Sequence, residues 1–234
     1  SSLAGTQELG NLNVIYDDNR ISIEGDTHVS FTEDVAARYR AYGWHVQEVS
    51  ALADGNIDLA SLDAAMLAAK AERTKPSLIR MHSVIAWPAP KLRGTAKSHG
   101  SALGDEEIAA TKKELGLNPD EKFAMPAEVF AHVRAVKDRG VAAHAAWNKK
   151  FETWSATNPA RAQLLTRLQK RELPAGWDSI LPVFEAGKDV STRAASGHVI
   201  NAFAKVLPEF WGGSADLAES NNTTIEGGKS FLPA

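Results

Sequence analysis

Three short β-rich runs, residues 12–17, 45–49 and 77–85, alternate with helical stretches, and this order constrains the fold more than any other feature of the chain. Strand and helix in alternation point to βαβ units and a parallel sheet. A helix is predicted over residues 32–42, with Thr32 as N-cap and Glu33 and Asp34 in the first turn, where the helix dipole favours acid. A second, over residues 58–72, is Ala-rich and carries Leu59, Leu62, Met66 and Ala69 on one side. The expected class is α/β, a parallel sheet with helices on both faces.

The first run ends in an unusual turn. Leu12-Asn13-Val14-Ile15-Tyr16 is followed by Asp17-Asp18-Asn19-Arg20-Ile21-Ser22-Ile23. In open α/β sheets, ligands bind at the carboxyl ends of the strands, where this polar stretch would lie. Asn and Asp oxygens are hard donors of the kind magnesium prefers, and magnesium takes few protein groups when phosphates and water complete its shell. A metal–diphosphate site is one reading. The other is an Asx turn that ends the strand.

Downstream, residues 86–104 contain Pro88, Pro90 and glycines in a connection long enough to be a functional loop. Helices are predicted over 105–115, from Pro126 to about 154, and over 192–207. Pro159 suits a helix first turn, and residues 174–190 read as a Pro/Gly-punctuated linker. Residues 2–9 read as the end of a helix stopped by Gly10-Asn11. The Trp and Phe residues of 123–154 read as a packing face.

Composition removes several function classes. A net charge of −3 and the lack of a basic stripe argue against nucleic acid. No run approaches a membrane span, and Ser1-Ser2-Leu3-Ala4-Gly5 has neither the basic start nor the apolar core of a signal peptide, so no membrane partner and a cytoplasmic location are expected. The absence of cysteine excludes disulfides and thiolate metal sites.

Tyr16-Asp17-Asp18-Asn19-x-Ile21-Ser22-Ile23-x-Gly25 resembles the second half of the thiamine-diphosphate motif of transketolases. Further stretches follow in that family's order: Arg38-Tyr39-Arg40-Ala41-Tyr42-Gly43-Trp44, Lys75-Pro76-Ser77-Leu78-Ile79, Ser98-His99-Gly100-Ser101, Thr192-Arg193-Ala194-Ala195-Ser196, and Gly212-Gly213-Ser214-Ala215-Asp216-Leu217-Ala218-x-Ser220-Asn221. Ordered motifs are far more specific than any one alone. The resemblance runs from residue 1 to about residue 230 and is weakest over about 120–190.

The resemblance implies a thiamine-diphosphate-binding fold, incomplete here. Residues 1–155 would be the C-terminal part of the diphosphate (PP) binding domain, 156–190 a linker, and 191–234 the start of the pyrimidine-binding domain. The Gly-Asp-Gly that opens the motif and the family's catalytic glutamate are not in the chain, so a fragment is expected, inactive by itself. Asn19 would bind the metal through its side-chain oxygen and Ile21 through its backbone carbonyl; magnesium, or calcium or manganese, would tether thiamine diphosphate. Asp17 and Asp18 receive no direct role and read as solvated strand-end residues.

His99 resembles the histidine that contacts cofactor and substrate and takes part in proton transfer. Ile85 matches an apolar position near the cofactor. Ala86 stands where the family pattern usually has Gly, and Ala96 replaces a second histidine. Asp216 resembles the aspartate that buttresses the cofactor from the partner subunit. Arg193 and Ser220 resemble substrate-phosphate ligands, an Arg fork and a hydroxyl suiting phosphate oxygens. The remaining histidines, His28, His45, His82, His132, His144 and His198, read as structural or solvated, with no partner at ligand spacing.

The implied activity is that of a transferase of the pentose phosphate pathway. It moves a two-carbon ketol unit from a ketose phosphate such as xylulose 5-phosphate to an aldose phosphate, in a homodimer whose active sites are shared between subunits. The alternatives are a related thiamine enzyme such as dihydroxyacetone synthase, a non-catalytic transketolase-like fragment, and a generic nucleotide-binding α/β module. The last would require a Gly-rich turn after the first strand, and Asp17-Asp18-Asn19 is not one.

Overall fold

The structure is a computed structural model and describes residues 1–233. It divides into two compact units, one built on Ser1–Ala124 and the other on Met125–Phe231.

In the first unit a short helix α1 (Ser2–Thr6) leads to strand β1 (Asn13–Asp18), helix α2 (Val35–Ala41), strand β2 (His45–Val49), helix α3 (Leu59–Ala71), strand β3 (Ser77–His82) and helix α4 (Asp105–Glu114). The strands form one parallel sheet in the order β1-β3-β2. Ile79 pairs with Ile15 on one side and Gln47 on the other, and Arg80 with Tyr16 and Glu48. Neighbours in register share a face, and successive residues alternate faces.

That alternation places a helix on each face. Val49, Ile79 and Met81 pack with Leu62, Ala65 and Ala69 of α3. On the other face Arg80 bonds Glu48, which in turn bonds Arg40 of α2. The α3 interface departs from the expected stripe. Leu59 and Met66 are exposed, and the buried contacts come from Ala65 and Ala69. Small side chains let the helix axis approach the sheet closely; Leu62 and Ala69 of the expected stripe face the sheet, and Leu59 and Met66 are left outside.

The start of α2 also differs. Asp34, not Thr32, is the N-cap, its carboxylate accepting from the Ala37 amide at 2.9 Å. Both residue types cap well, and the later one sits next to the first helical turn. At the other end of the sheet, buried Gly10 passes the Arg73 backbone so closely that a Cβ would lie 1.9 Å from its carbonyl oxygen. Only glycine fits that approach.

In the second unit, helix α5 (Ala127–Thr157) is followed by α6 (Pro159–Lys170), which begins at Pro159 inside the stretch read as linker. Then come a 3-10 turn at Trp177–Ile180, helix α7 (Thr192–Val206) and the short helix α8 (Ala218–Asn221). The aromatics of α5 stack on one another: Trp147 on Phe151 at 5.0 Å and Phe151 on Trp154 at 5.6 Å. Trp147 and Phe130 nonetheless remain about half exposed, and Phe123, in the preceding turn, is fully exposed. No helix among the described residues is long and apolar enough to cross a membrane.

Candidate functional site

β1 runs toward its carboxyl end on an edge of the sheet and delivers Asp18 and Asn19 to the strand mouth. Asn19 turns the chain. Its Oδ1 accepts from the Ile21 amide at 3.0 Å, so the Asx turn is present. A carbonyl oxygen has two lone pairs, so this bond leaves a lone pair on the amide oxygen. Thr27 donates to the Arg20 carbonyl at 2.9 Å and Ser22 to the Gly25 carbonyl at 2.7 Å, closing the turn around Ile21.

The two donors expected at Asn19 and Ile21 therefore sit in one tight turn, both of them hard oxygens. No group of three or more His, Cys, Asp or Glu side chains that could hold a metal occurs among the described residues. The available donor set suits a cation that keeps few protein ligands and fills its shell with phosphate and water, as magnesium does.

Asp18 does not sit in solvent. It is 7% exposed and is held by Arg80, whose Nε and Nη2 approach Oδ2 at 2.8 and 2.7 Å. Arg80 also donates to Glu48 at 3.1 Å, and Glu48 accepts from Arg40 at 2.7 Å. His82 lies 3.6 Å from Asp18 and 2.7 Å from Arg20, so this histidine has close polar neighbours after all. His28 likewise pairs with Asp26 at 2.9 Å, two residues away. The hydrogen bond it donates to Asp18 holds the Arg80 guanidinium still more firmly protonated than usual. Burial, then the charge of Asp18, raises the Tyr16 hydroxyl above its ordinary value. Tyr16, Asp18, Arg20 and Arg80 line a cleft of about 450 Å³ at the strand mouth, together with Asp26 and His28.

No sequence motif marks Arg80 or Glu48, and His82 reads from sequence as structural or solvated. The available signal was a charged residue inside the apolar run Leu78-Ile79-Arg80-Met81-His82, whose alternation puts Arg80 on the face opposite Ile79.

The loop after β3 carries Ile85, half-buried, its carbonyl accepting from Gly94 at 2.9 Å. Ala86 adopts φ +57, the left-handed conformation that glycine takes freely, so the backbone keeps that path with a side chain present. Buried Glu107 of α4 anchors the loop: one carboxylate oxygen accepts from the Lys91 and Leu92 amides at 2.7 and 2.9 Å. His99 follows a 3-10 turn at Ala96–Ser98 and is exposed.

In the second unit, Arg193 lies in the first turn of α7, and its Nη1 reaches the Ser220 carbonyl at 3.4 Å. Residues 27 apart in sequence are thus brought together. Asp216 is exposed in the preceding loop with φ +70.

Residues 1–174 match the family described as Transketolase, thiamine diphosphate binding domain. The chain belongs to the transketolase family. It is 52% identical over all 234 residues to a transketolase of Mycobacterium leprae and 44% identical to one of Geobacillus stearothermophilus, covering 33% and 34% of those proteins. Among solved structures, a Pichia stipitis transketolase in complex with sedoheptulose 7-phosphate superposes with a TM-score of 0.90 at 39% identity, over 99% of this chain and 34% of that one. The transketolase of Leishmania mexicana gives 0.89 at 37% identity, over 96% of this chain and 33% of that one. The chain therefore spans about a third of the length of the transketolases it matches.

Proposed function

We propose that this chain is a segment of a transketolase that moves a two-carbon ketol unit from a ketose phosphate to an aldose phosphate. Identity of 52% over every residue to a transketolase is the observation that carries this reading. Residues 1–155 are the later part of the diphosphate-binding domain, 156–190 the connection, and 191–234 the start of the pyrimidine-binding domain. The thiamine diphosphate-binding family match supports the cofactor.

When bound, thiamine diphosphate supplies a nucleophilic carbon that adds to the ketose carbonyl and an electron sink for the charge left by carbon–carbon cleavage. The chain's own residues bind and orient. Asn19 through Oδ1 and Ile21 through its carbonyl would hold magnesium, or calcium or manganese in its place. Ile85 gives the cofactor an apolar neighbour, and Asp216 buttresses it. His99 donates to phosphate or substrate oxygens and moves a proton near neutral pH.

Arg193 and Ser220 hold the substrate phosphate, the guanidinium giving charge-assisted bonds to its oxygens. Sugar phosphates appear with related enzymes: Pichia stipitis transketolase was solved with sedoheptulose 7-phosphate and a variant with xylulose 5-phosphate. The active unit is a homodimer in which Asn19 and His99 of one subunit serve a site with Arg193, Asp216 and Ser220 of the other, in the cytoplasm and in the pentose phosphate pathway.

Acceptor competition in a full-length transketolase containing this chain tests the reading. Ketol transfer from xylulose 5-phosphate to ribose 5-phosphate is expected to dominate. Transfer to formaldehyde in preference to the aldose phosphate would instead mark a dihydroxyacetone synthase.

A further inference from the structure

One stripe of α7 grips the segment that follows Ser220. Arg193, Gly197 and Asn201 are four residues apart and so lie on one helix face. Arg193 reaches the Ser220 carbonyl. Gly197 is buried, and a Cβ there would lie 2.9 Å from the Asn222 carbonyl oxygen and 3.0 Å from its Cβ. Asn201 uses its whole amide: Nδ2 donates to the Gly197 carbonyl at 3.0 Å and the Thr224 carbonyl at 3.1 Å, and Oδ1 accepts from the Glu226 amide at 2.8 Å. Two carbonyls and one N–H as partners leave a single orientation for that amide.

Within the loop and α8 the backbone bonds to itself, Leu217 to the Ser214 carbonyl at 2.8 Å and Thr223 to the Ala218 carbonyl at 3.0 Å, which shapes the segment internally. Ser214 and Thr223 join their hydroxyls in a close contact across its base. Ala215, Asp216 and Asn222 all take positive φ, a conformation that must be held by surrounding contacts. Ser220 itself is exposed. Its position relative to Arg193 is therefore set from the 222–226 side, where Gly197 permits the close approach and Asn201 ties down both Thr224 and Glu226.

We propose that Asn201, with Gly197 one turn before it, is a positioning residue for substrate-phosphate recognition, fixing the 222–226 segment on α7 so that Ser220 stays beside Arg193. This rests on reading Arg193 and Ser220 as the phosphate ligands. Neither Asn201 nor Gly197 touches substrate; both act through where Ser220 is held.

The test uses a full-length transketolase containing this chain, with Asn201→Ala, Asn201→Asp, Gly197→Ala and Arg193→Ala made separately. KM and kcat are measured for a phosphorylated and an unphosphorylated ketose donor, and inorganic phosphate is titrated as a competitor. Asn201→Ala, which removes three neutral hydrogen bonds, and Gly197→Ala, whose Cβ would press on the Asn222 carbonyl, are each expected to raise KM for the phosphorylated donor roughly 3–10-fold, about the net worth of one hydrogen bond reaching the phosphate. Competition by phosphate should weaken by the same factor, with KM for the unphosphorylated donor and both kcat values unchanged. Asn201→Asp keeps the size and the acceptor but loses both donors, so it should behave like Asn201→Ala.

A selective effect of Arg193→Ala with none from Asn201→Ala or Gly197→Ala would overturn the positioning role alone. An Arg193→Ala variant that spares both donors would remove the phosphate reading and the positioning role with it. Equal losses for both donors, or failure of both Asn201→Ala and Gly197→Ala to fold, would also overturn the proposal, because the contacts would then belong to the fold and not to phosphate recognition.

Discussion

The Asn19 turn and the Arg193–Ser220 contact are built by different means. Asn19 follows the edge strand of a parallel ladder, next to a carboxylate buried by a two-nitrogen arginine contact. Ser220 sits in a short helix after a loop of positive-φ residues, tied to α7 by side-chain amide and glycine contacts. A ladder of backbone bonds changes little when one side chain is replaced. A segment held by a few side-chain contacts is more exposed to the loss of any one of them.

The largest expected effect lies on the sheet side. His99→Ala should lower turnover on the order of 10²–10⁴-fold if its imidazole moves a proton, measured in a full-length enzyme containing this chain. The side chain is exposed and Glu107 holds the loop independently, so thermal unfolding should be unchanged. Near-normal turnover, or a variant that does not fold, would remove His99 from catalysis.

Next comes Asn19→Ala. Loss of one of few protein oxygens on the metal should weaken magnesium and thiamine diphosphate together, about 10–100-fold by analogy with other metal shells. Fluorescence titration at limiting magnesium reads this directly, and an unaltered cofactor affinity would leave Asn19 as a turn residue only.

Stability should separate the two units more modestly. Glu107→Ala leaves two part-buried amides without their acceptor, at about 1–3 kcal/mol for each unsatisfied group. Trp147→Ala removes a half-exposed ring from α5 and should cost about 1 kcal/mol or less. Urea unfolding of this chain measures both; a larger loss from Trp147→Ala would reverse the contrast between a packed sheet unit and an open helical one.

The smallest effect concerns pH. Arg167 donates to Glu209 at 2.7 Å and, with the Glu209 backbone amide, holds its carboxyl below the usual range. A depressed carboxyl stabilises above its unfolded pKa and loses that contribution as pH falls through the folded value. The difference in Tm between the parent chain and Glu209→Gln should therefore be largest near neutrality and vanish in acid. A difference that grows on acidification would contradict the pairing.

Much of this architecture is readable from residue order. The three strands fall on the three β-rich runs, and the central strand β3, whose first half is fully buried, has the most continuous apolar stretch, whereas β1 and β2 at the edges keep exposed positions. The buried face of α3 was readable only in part: Leu62 and Ala69 of the expected stripe face the sheet, but periodicity weights large apolar side chains and so takes in Leu59 and Met66, which are exposed, and passes over Ala65. The burial of Asp18 was hidden for another reason. Its partner Arg80 lies 62 residues away, and only the register of β1 on β3 brings them together. Asn19, Ile21, His99 and Arg193 stand out through motif order, whereas nothing local marks Asn201 as the residue that holds the segment following Ser220.

Subunit mixing tests most directly the claim that these two differently built regions serve one reaction. An Asn19→Ala protein and an Arg193→Ala protein, each full-length and each impaired, are allowed to exchange subunits. An isologous dimer with shared sites then contains one site with both lesions and one with neither. The account predicts that activity rises on mixing, toward one intact site per heterodimer. Exchange demonstrated by mass or label with no recovery of activity would contradict it.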